Sequence, residues 1–243
     1  MSALPGTTGR RRIYLMRHGH VDYFSDEVVT SRDPRLARLT PQGIEEAISA
    51  GEALSSTRFD IAMCSGLRRT RETAEHVLSR QSAEPPLLEE DERLQELHSG
   101  QFIEFESREQ LAATMTFQFE NADREQATFM EGGELFTDAL ARIVNALEDL
   151  LSRESWNTAL VVAHEGVNRL ILSWMCHAGL NASASFEQDT GCINILDFDL
   201  VPDEKQSESR IERRIIKSIN LTPENYIKQG MNLRSLEAIF HRD

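Results

Sequence analysis

Two histidines in this chain directly follow short apolar runs. His18 comes after Ile13-Tyr14-Leu15-Met16-Arg17, and His164 after Ala159-Leu160-Val161-Val162-Ala163. A third run, Phe59-Asp60-Ile61-Ala62-Met63-Cys64, leads into Ser65-Gly66-Leu67-Arg68-Arg69-Thr70-Arg71. Each run reads as a buried strand that stops abruptly. In open α/β sheets, ligands bind at the carboxyl ends of the strands. An imidazole can act as nucleophile, base, acid or donor, and arginine presents a planar donor fork that matches phosphate oxygens. A helix that starts just after Ser65 or Gly66 also turns free backbone N–H groups toward an anion. Arg17, His18, Arg69 and His164 together suit phosphoryl transfer, with histidine as covalent nucleophile and positive charge spread over the equatorial oxygens. Helical neighbours lie about 100° apart. Of Arg68, Arg69 and Arg71, one is therefore expected inside and the others in solvent.

The elements that position these groups alternate along the chain. After the strand Ile13–Met16, the residues Val21 to Arg38 form a polar, irregular connection. Thr40 can cap a helix with Pro41 at its first position, and Ile44, Ala47, Ile48, Gly51 and Leu54 recur at helical spacing. Gly51 is expected to allow close approach of a neighbour. A helix follows Ser65 to about Ser79, and Leu87 and Leu88 form a short strand. An amphipathic helix spans Leu135 to Leu151, with Leu140, Ile143, Val144, Leu147 and Leu151 on one face. A second apolar helix runs from Gly166 to Cys176. The strands Cys192–Phe198 and Arg210–Ile219 make an antiparallel hairpin. This alternation predicts an α/β fold, a three-layer sandwich with a largely parallel central sheet flanked by helices. The expected organisation is a flexible N-terminal tail over 1–12 and a single domain over 12–220. That domain carries a helical insertion at about 104–133, laid over the sheet edge, and 221–243 is a C-terminal extension.

Bulk composition narrows the partners. The chain has 243 residues, 40% of them hydrophobic, enough for one large domain with a substantial core. Its net charge of −14 argues against nucleic acid and anionic membranes as partners. Arg10-Arg11-Arg12 is followed by too short an apolar run for a signal segment, and no stretch approaches the roughly 20 apolar residues that span a bilayer. Cys64, Cys176 and Cys192 are widely spaced and odd in number, which suggests free thiols in a reducing cytoplasm.

Several segments resemble the histidine phosphatase superfamily, with its phosphoglycerate-mutase-like fold. Met16-Arg17-His18-Gly19 resembles its first motif, and Ser65-Gly66-Leu67-Arg68-Arg69 with Thr73-Ala74 its second. Leu39-Thr40-Pro41-Gln42-Gly43 is similar to its first-helix pattern, and Leu94-Gln95-Glu96 with Gly100 to its acid-residue segment. Gly133-Glu134 resembles a structural turn, and Val162-Ala163-His164-Glu165-Gly166 the second-histidine segment. The matches run in family order from about residue 12 to 200. The resemblance implies that His18 attacks phosphorus and that Arg17, Arg69 and His164 hold the phosphoryl oxygens. Glu96 donates a proton to the leaving alcohol. One ring nitrogen of His18 must be unprotonated while the other donates to a backbone carbonyl. The expected catalytic residues are thus His18, Glu96 and His164, and the substrate-binding ones Arg17, Arg69, Gly19, Glu165 and His20. No metal and no cofactor are implied, and a homodimer is compatible with the sequence.

The chain departs from the family at three positions. His20 stands where glutamate or glutamine is common, Phe24 where asparagine often touches phosphate, and Glu165 where a small residue follows the second histidine. Glu165 either repels anionic phosphate, points into solvent, or binds a cationic or hydroxylated substrate. The segment His164 to Arg169 is more similar to the phosphatase branch than to the mutases. The expected activity is a phosphomonoesterase acting on a small phosphorylated metabolite. The alternatives are a cofactor-dependent phosphoglycerate mutase, a phosphoprotein phosphatase, and a low-activity phosphate-binding protein.

Overall fold

The computed structural model describes residues 9–100, 117–202 and 209–229. Six strands form one sheet in the order β3-β2-β4-β1-β5-β6. They are β1 (Gly9–Arg17), β2 (Ile61–Cys64), β3 (Leu88–Glu90), β4 (Thr158–Ala163), β5 (Ile193–Pro202) and β6 (Ser209–Leu221). Strands β1 to β4 are mutually parallel, while β5 runs antiparallel to both β1 and β6. Strands flanked on both faces read as continuous apolar runs, and β1 and β4 divide theirs by alternation. Ile13, Leu15, Ala159 and Val161 face one core with the helices α4 (Phe136–Ser152) and α5 (Glu165–Met175). Met16, Leu160 and Val162 face the other with α2 (Pro41–Ala53) and α3 (Arg68–Leu78). The expected three layers follow from that division.

Local signals set the helices. The Thr40 side chain accepts a hydrogen bond from Gly43 N at 3.2 Å, with Pro41 in the first position. At Gly51 a Cβ would come within 3.0 Å of the Val77 Cα, so glycine is what lets α2 lie against α3. The region Val21 to Arg38 is more ordered than its polarity suggests. It contains a short helix α1 (Asp26–Ser31) and a 3-10 turn at Pro34–Leu36, folded over a small cluster of Val21, Val28, Ala37 and Leu39.

Two boundaries differ from expectation. β1 begins at Gly9, so Arg10, Arg11 and Arg12 are strand residues and not tail. The reason is pairing across the sheet: Arg10 and Arg12 lie opposite Asp199 and Asp197 of β5 and bind them through two hydrogen bonds each. The α3 helix starts at Arg68, because the Ser65 side chain is engaged elsewhere and does not cap it. Of the expected insertion, 101–116 lies outside the described residues; Phe117 is helical and a 3-10 turn follows at Gln118–Asn121. Leu221 ends β6 and is followed by a 3-10 turn at Pro223–Asn225; the rest of the extension, 230–243, lies outside the described residues.

Asp197 is wholly buried, while Arg12 is about one-third exposed. Removing a buried carboxylate from such a pair strands an arginine that can still reach water in part, so the loss is below that of a fully buried pair. Asp197→Ala is expected to lower stability by about 2 kcal/mol, read as a lower urea midpoint at unchanged slope.

Candidate active site

Strand register brings the two histidines together. Arg17 pairs with Ala163, so the residues that follow, His18 and His164, emerge side by side at the carboxyl edge of β1 and β4. Their ring centroids are 5.2 Å apart and both rings are buried. The β2 end adds Ser65 from the neighbouring strand, and α3 adds Arg69 from its first turn.

The hydrogen bonds define the protonation of His18. Its Nδ1 lies 2.8 Å from Gly19 O, which can only accept, so Nδ1 carries the proton. The lone pair is then on Nε2, where Arg69 Nε donates at 3.2 Å. The family resemblance implies one ring nitrogen bonded to a backbone carbonyl without saying which; here it is Nδ1. Burial first, then the positive charges of Arg69 and Arg17, hold the His18 imidazole well below the usual histidine range, so the ring stays neutral. His164 is held low by burial and then by Arg69 and His18. Ser65 Oγ lies 2.8 Å from His164 Nε2 and fixes that ring, while His164 Nδ1 is buried with no partner among the described residues.

Of the three arginines of α3, only Arg69 is buried; Arg68 bonds Glu72 and Arg71 bonds Glu90 at the surface. Arg69 also donates to Pro34 O at 3.3 Å and stands over the Tyr23 ring, which ties the Val21–Arg38 region to the site. Arg17 is buried, with Nη1 donating to Gln188 O at 2.5 Å and lying 3.1 Å from Glu165 Oε2. Its Nε is buried and has no partner among the described residues. Two buried nitrogens without partners among the described residues, Arg17 Nε and His164 Nδ1, thus belong to the same strand ends as the unprotonated His18 Nε2; with Ser65 Oγ donating to His164 Nε2, both are N–H donors. That donor set fits the oxygens of a phosphate.

Glu96 sits at the start of α5. Its Oε1 accepts from Leu97 N at 3.1 Å and its Oε2 from Gly166 N at 3.3 Å. It thereby supplies the acceptor that the N-cap, His164, does not provide from its own side chain. Burial, helped by the nearby Glu165 charge, raises the Glu96 carboxyl above the usual carboxylate range against the pull of those two N–H groups. A Cβ at Gly166 would come 2.7 Å from Glu96 Oε1. Gly166→Ala is therefore expected to push the carboxyl group aside and to press on Leu97 Cδ1 and Phe119 Cζ, which lie 3.0 and 3.3 Å from the added carbon. Turnover of an alkyl phosphate should fall about tenfold, with a melting temperature only a few degrees lower.

The remaining candidates are placed as follows. Gly19 N donates to Thr73 Oγ1, and a Cβ at Gly19 would lie 2.3 Å from Gly43 O, so Gly19 permits contact with α2. His20 donates from its backbone N to Glu46 and its Nδ1 meets Thr40 Oγ1 at 2.9 Å, which ties its ring to the start of α2. Phe24 is partly exposed on the Val21–Arg38 connection. Burial pushes the Cys192 thiol up to about 12, so it stays protonated beside Arg17 and does not compete as a nucleophile. The partners that sequence alone missed are Ser65, Gln188 and Asn168, whose side-chain amide meets that of Gln188 at 3.2 Å. The one available signal was polarity at Asn168, buried within an apolar helix. Among the described residues, no group of three or more His, Cys, Asp or Glu is arranged to hold a metal ion, and no helix is long and apolar enough to cross a membrane.

Comparison with known proteins extends this geometry. The model of the histidine phosphatase superfamily (branch 1) matches residues 13–205. An adenosylcobalamin/alpha-ribazole phosphatase of Escherichia coli (strain K12) is 26% identical over 190 residues, covering 77% of this chain and 90% of the relative. A 2,3-bisphosphoglycerate-dependent phosphoglycerate mutase of Bartonella quintana (strain Toulouse) is 28% identical over 186 residues, covering 74% and 87%. In fold, the chain is similar to a mycobacterial glucosyl-3-phosphoglycerate phosphatase, with a TM-score of 0.68 and 21% identity over 87% of this chain and 99% of that one.

Proposed function

The chain belongs to the histidine phosphatase superfamily (branch 1), and on that premise we propose that it hydrolyses a small phosphorylated metabolite through a phosphohistidine on His18. Its class is that of a phosphoric monoester hydrolase. The observation that carries the reading is the lone pair on His18 Nε2, fixed by the Nδ1 bond to Gly19 O and set beside Arg69 and His164.

In the first half-reaction, Nε2 attacks phosphorus and the ester P–O bond breaks. The electron pair goes to the leaving oxygen, which takes the Glu96 proton and departs as the alcohol. Arg17, Arg69 and His164 Nδ1 stabilise the charge on the non-bridging oxygens. In the second half-reaction, the Glu96 carboxylate takes a proton from water as its oxygen attacks phosphorus. The P–N bond breaks, phosphate leaves, and His18 returns to its neutral form. Gly19 and His20 serve this scheme by anchoring the end of β1 to α2 and α3, which keeps Nε2 in place. The free Cys64, Cys176 and Cys192 support a reducing, cytoplasmic setting.

A phosphate-release screen over small phosphorylated metabolites tests the reading. Multiple-turnover release of phosphate from at least one of them supports it, and binding without release contradicts it. A mutase is the second reading, favoured by the mutase relatives. It is distinguished by mixing the protein with 3-phosphoglycerate and a trace of 2,3-bisphosphoglycerate. Rapid formation of 2-phosphoglycerate with little free phosphate would establish the mutase instead.

A further inference from the structure

Glu165 stands at the edge of the phosphate-binding arginines, and its contacts are unusual for a carboxylate in such a place. Its Oε2 lies 3.1 Å from Arg17 Nη1, and its Oε1 accepts from Arg169 Nε at 3.0 Å and Nη2 at 2.8 Å. Arg169 is itself buried and fixed from behind, with Nη1 donating to Ser183 O and Ala184 O and its guanidinium over the Phe119 ring. The carboxylate is therefore locked, and its side chain keeps 14% of its surface open. Two consequences follow. The Nη1 group of Arg17 is committed to Gln188 O and Glu165, while its buried Nε has no partner among the described residues. A fixed negative charge also stands next to the group that binds the phosphate.

We propose that Glu165 is a specificity-determining residue that selects phosphate esters of neutral or cationic alcohols against esters bearing a carboxylate or second phosphate beside the reacting group. The phosphate itself is held by Arg69, His164 and Arg17 Nε, so its own binding outweighs the repulsion. An additional anionic group on the alcohol has no such compensation from Glu165 and faces its charge across a partly desolvated pocket, where a charge a few ångströms away changes affinity by roughly tenfold. This inference rests on the phosphatase reading and names the substrate class within it.

The test compares two esters of nearly equal size, glycerol 3-phosphate and 3-phosphoglycerate, which differ by a hydroxymethyl group in place of a carboxylate. Hydrolysis of p-nitrophenyl phosphate is followed in parallel. The native protein is expected to favour glycerol 3-phosphate in kcat/KM. In Glu165→Gln, which retains the shape of the side chain, that preference should shrink by roughly tenfold; Glu165→Ala should shrink it likewise. A native preference for 3-phosphoglycerate, or a ratio that moves less than about twofold in both variants, overturns the proposal. Hydrolysis of p-nitrophenyl phosphate, whose alcohol bears no second anionic group, is the internal reference: an equal fall for all three esters, with their ratios unmoved, assigns Glu165 to holding Arg17 and overturns the proposal. If the native protein releases no phosphate from any of the three esters, the phosphatase reading itself fails, and that outcome is distinct from the others.

Discussion

Replacing His18 with alanine is expected to lower phosphate release from p-nitrophenyl phosphate by roughly 10⁴-fold or more. The size follows from the site's construction. Among the residues gathered there, His18 Nε2 carries an unprotonated lone pair that meets the Arg69 Nε–H at 3.2 Å, while the neighbouring imidazole, His164, has its Nε2 bound to Ser65. Water attacking directly would still find Arg17, Arg69 and His164 in place, so a residual rate from charge stabilisation is expected above that of the uncatalysed reaction. The alanine removes a buried ring, but the strand that carries it is held by β4 on one side and β5 on the other. The variant should fold, and a melting curve separates loss of chemistry from loss of structure. Activity within tenfold of the native protein would remove His18 from the role of nucleophile.

The second large effect is expected at Glu96. Glu96→Gln retains shape and an acceptor but cannot supply a proton. General acid catalysis contributes typically 10²–10⁴-fold, and that contribution scales with how badly the leaving group needs the proton. Turnover of an alkyl ester such as glycerol 3-phosphate should fall about 10²-fold or more, while p-nitrophenyl phosphate should fall less than about tenfold. The pH dependence carries the sign. As the acid, Glu96 must be protonated, and its raised pKa extends that form above the usual carboxylate range. His18 must be neutral, and its depressed pKa extends that form below the usual histidine range. Alkyl ester turnover should therefore rise as His18 loses its proton and fall as pH passes the Glu96 pKa. In Glu96→Gln the alkaline fall assigned to Glu96 should disappear. Equal losses for both esters would show that Glu96 is not the proton donor.

Much of this arrangement was legible because short-range rules carry it. The apolar runs before His18 and His164 read as buried strands, and the parallel register that pairs Arg17 with Ala163 completes the juxtaposition. Thr40-Pro41 carried its own capping chemistry. The periodicity of α3 required one arginine inside, and the structure selects Arg69. What escaped depended on contacts distant in sequence. Arg10 and Arg12 look like solvated basic residues until the alternation of Asp197-Phe198-Asp199 on β5 is laid against them. Ser65 looks like a helix cap, yet its hydroxyl bonds an imidazole 99 residues away. Gln188 holds Arg17 through its backbone carbonyl, a group that side-chain identity does not encode. Glu165 was legible as a departure, but its locking between Arg17 and Arg169 required the turn of α5 that brings residues four apart together.

The central claim is that phosphate passes through His18. Mixing the protein with p-nitrophenyl phosphate, quenching within milliseconds in alkali and mapping phosphorylated peptides by mass spectrometry tests it most directly. The account predicts an alkali-stable, acid-labile phosphate on the peptide containing Arg17 and His18, attached at Nε2, formed and lost at rates compatible with turnover. Phosphate on any other residue, or turnover with His18 unmodified at every time point while a phosphohistidine standard survives the same quench, would contradict it.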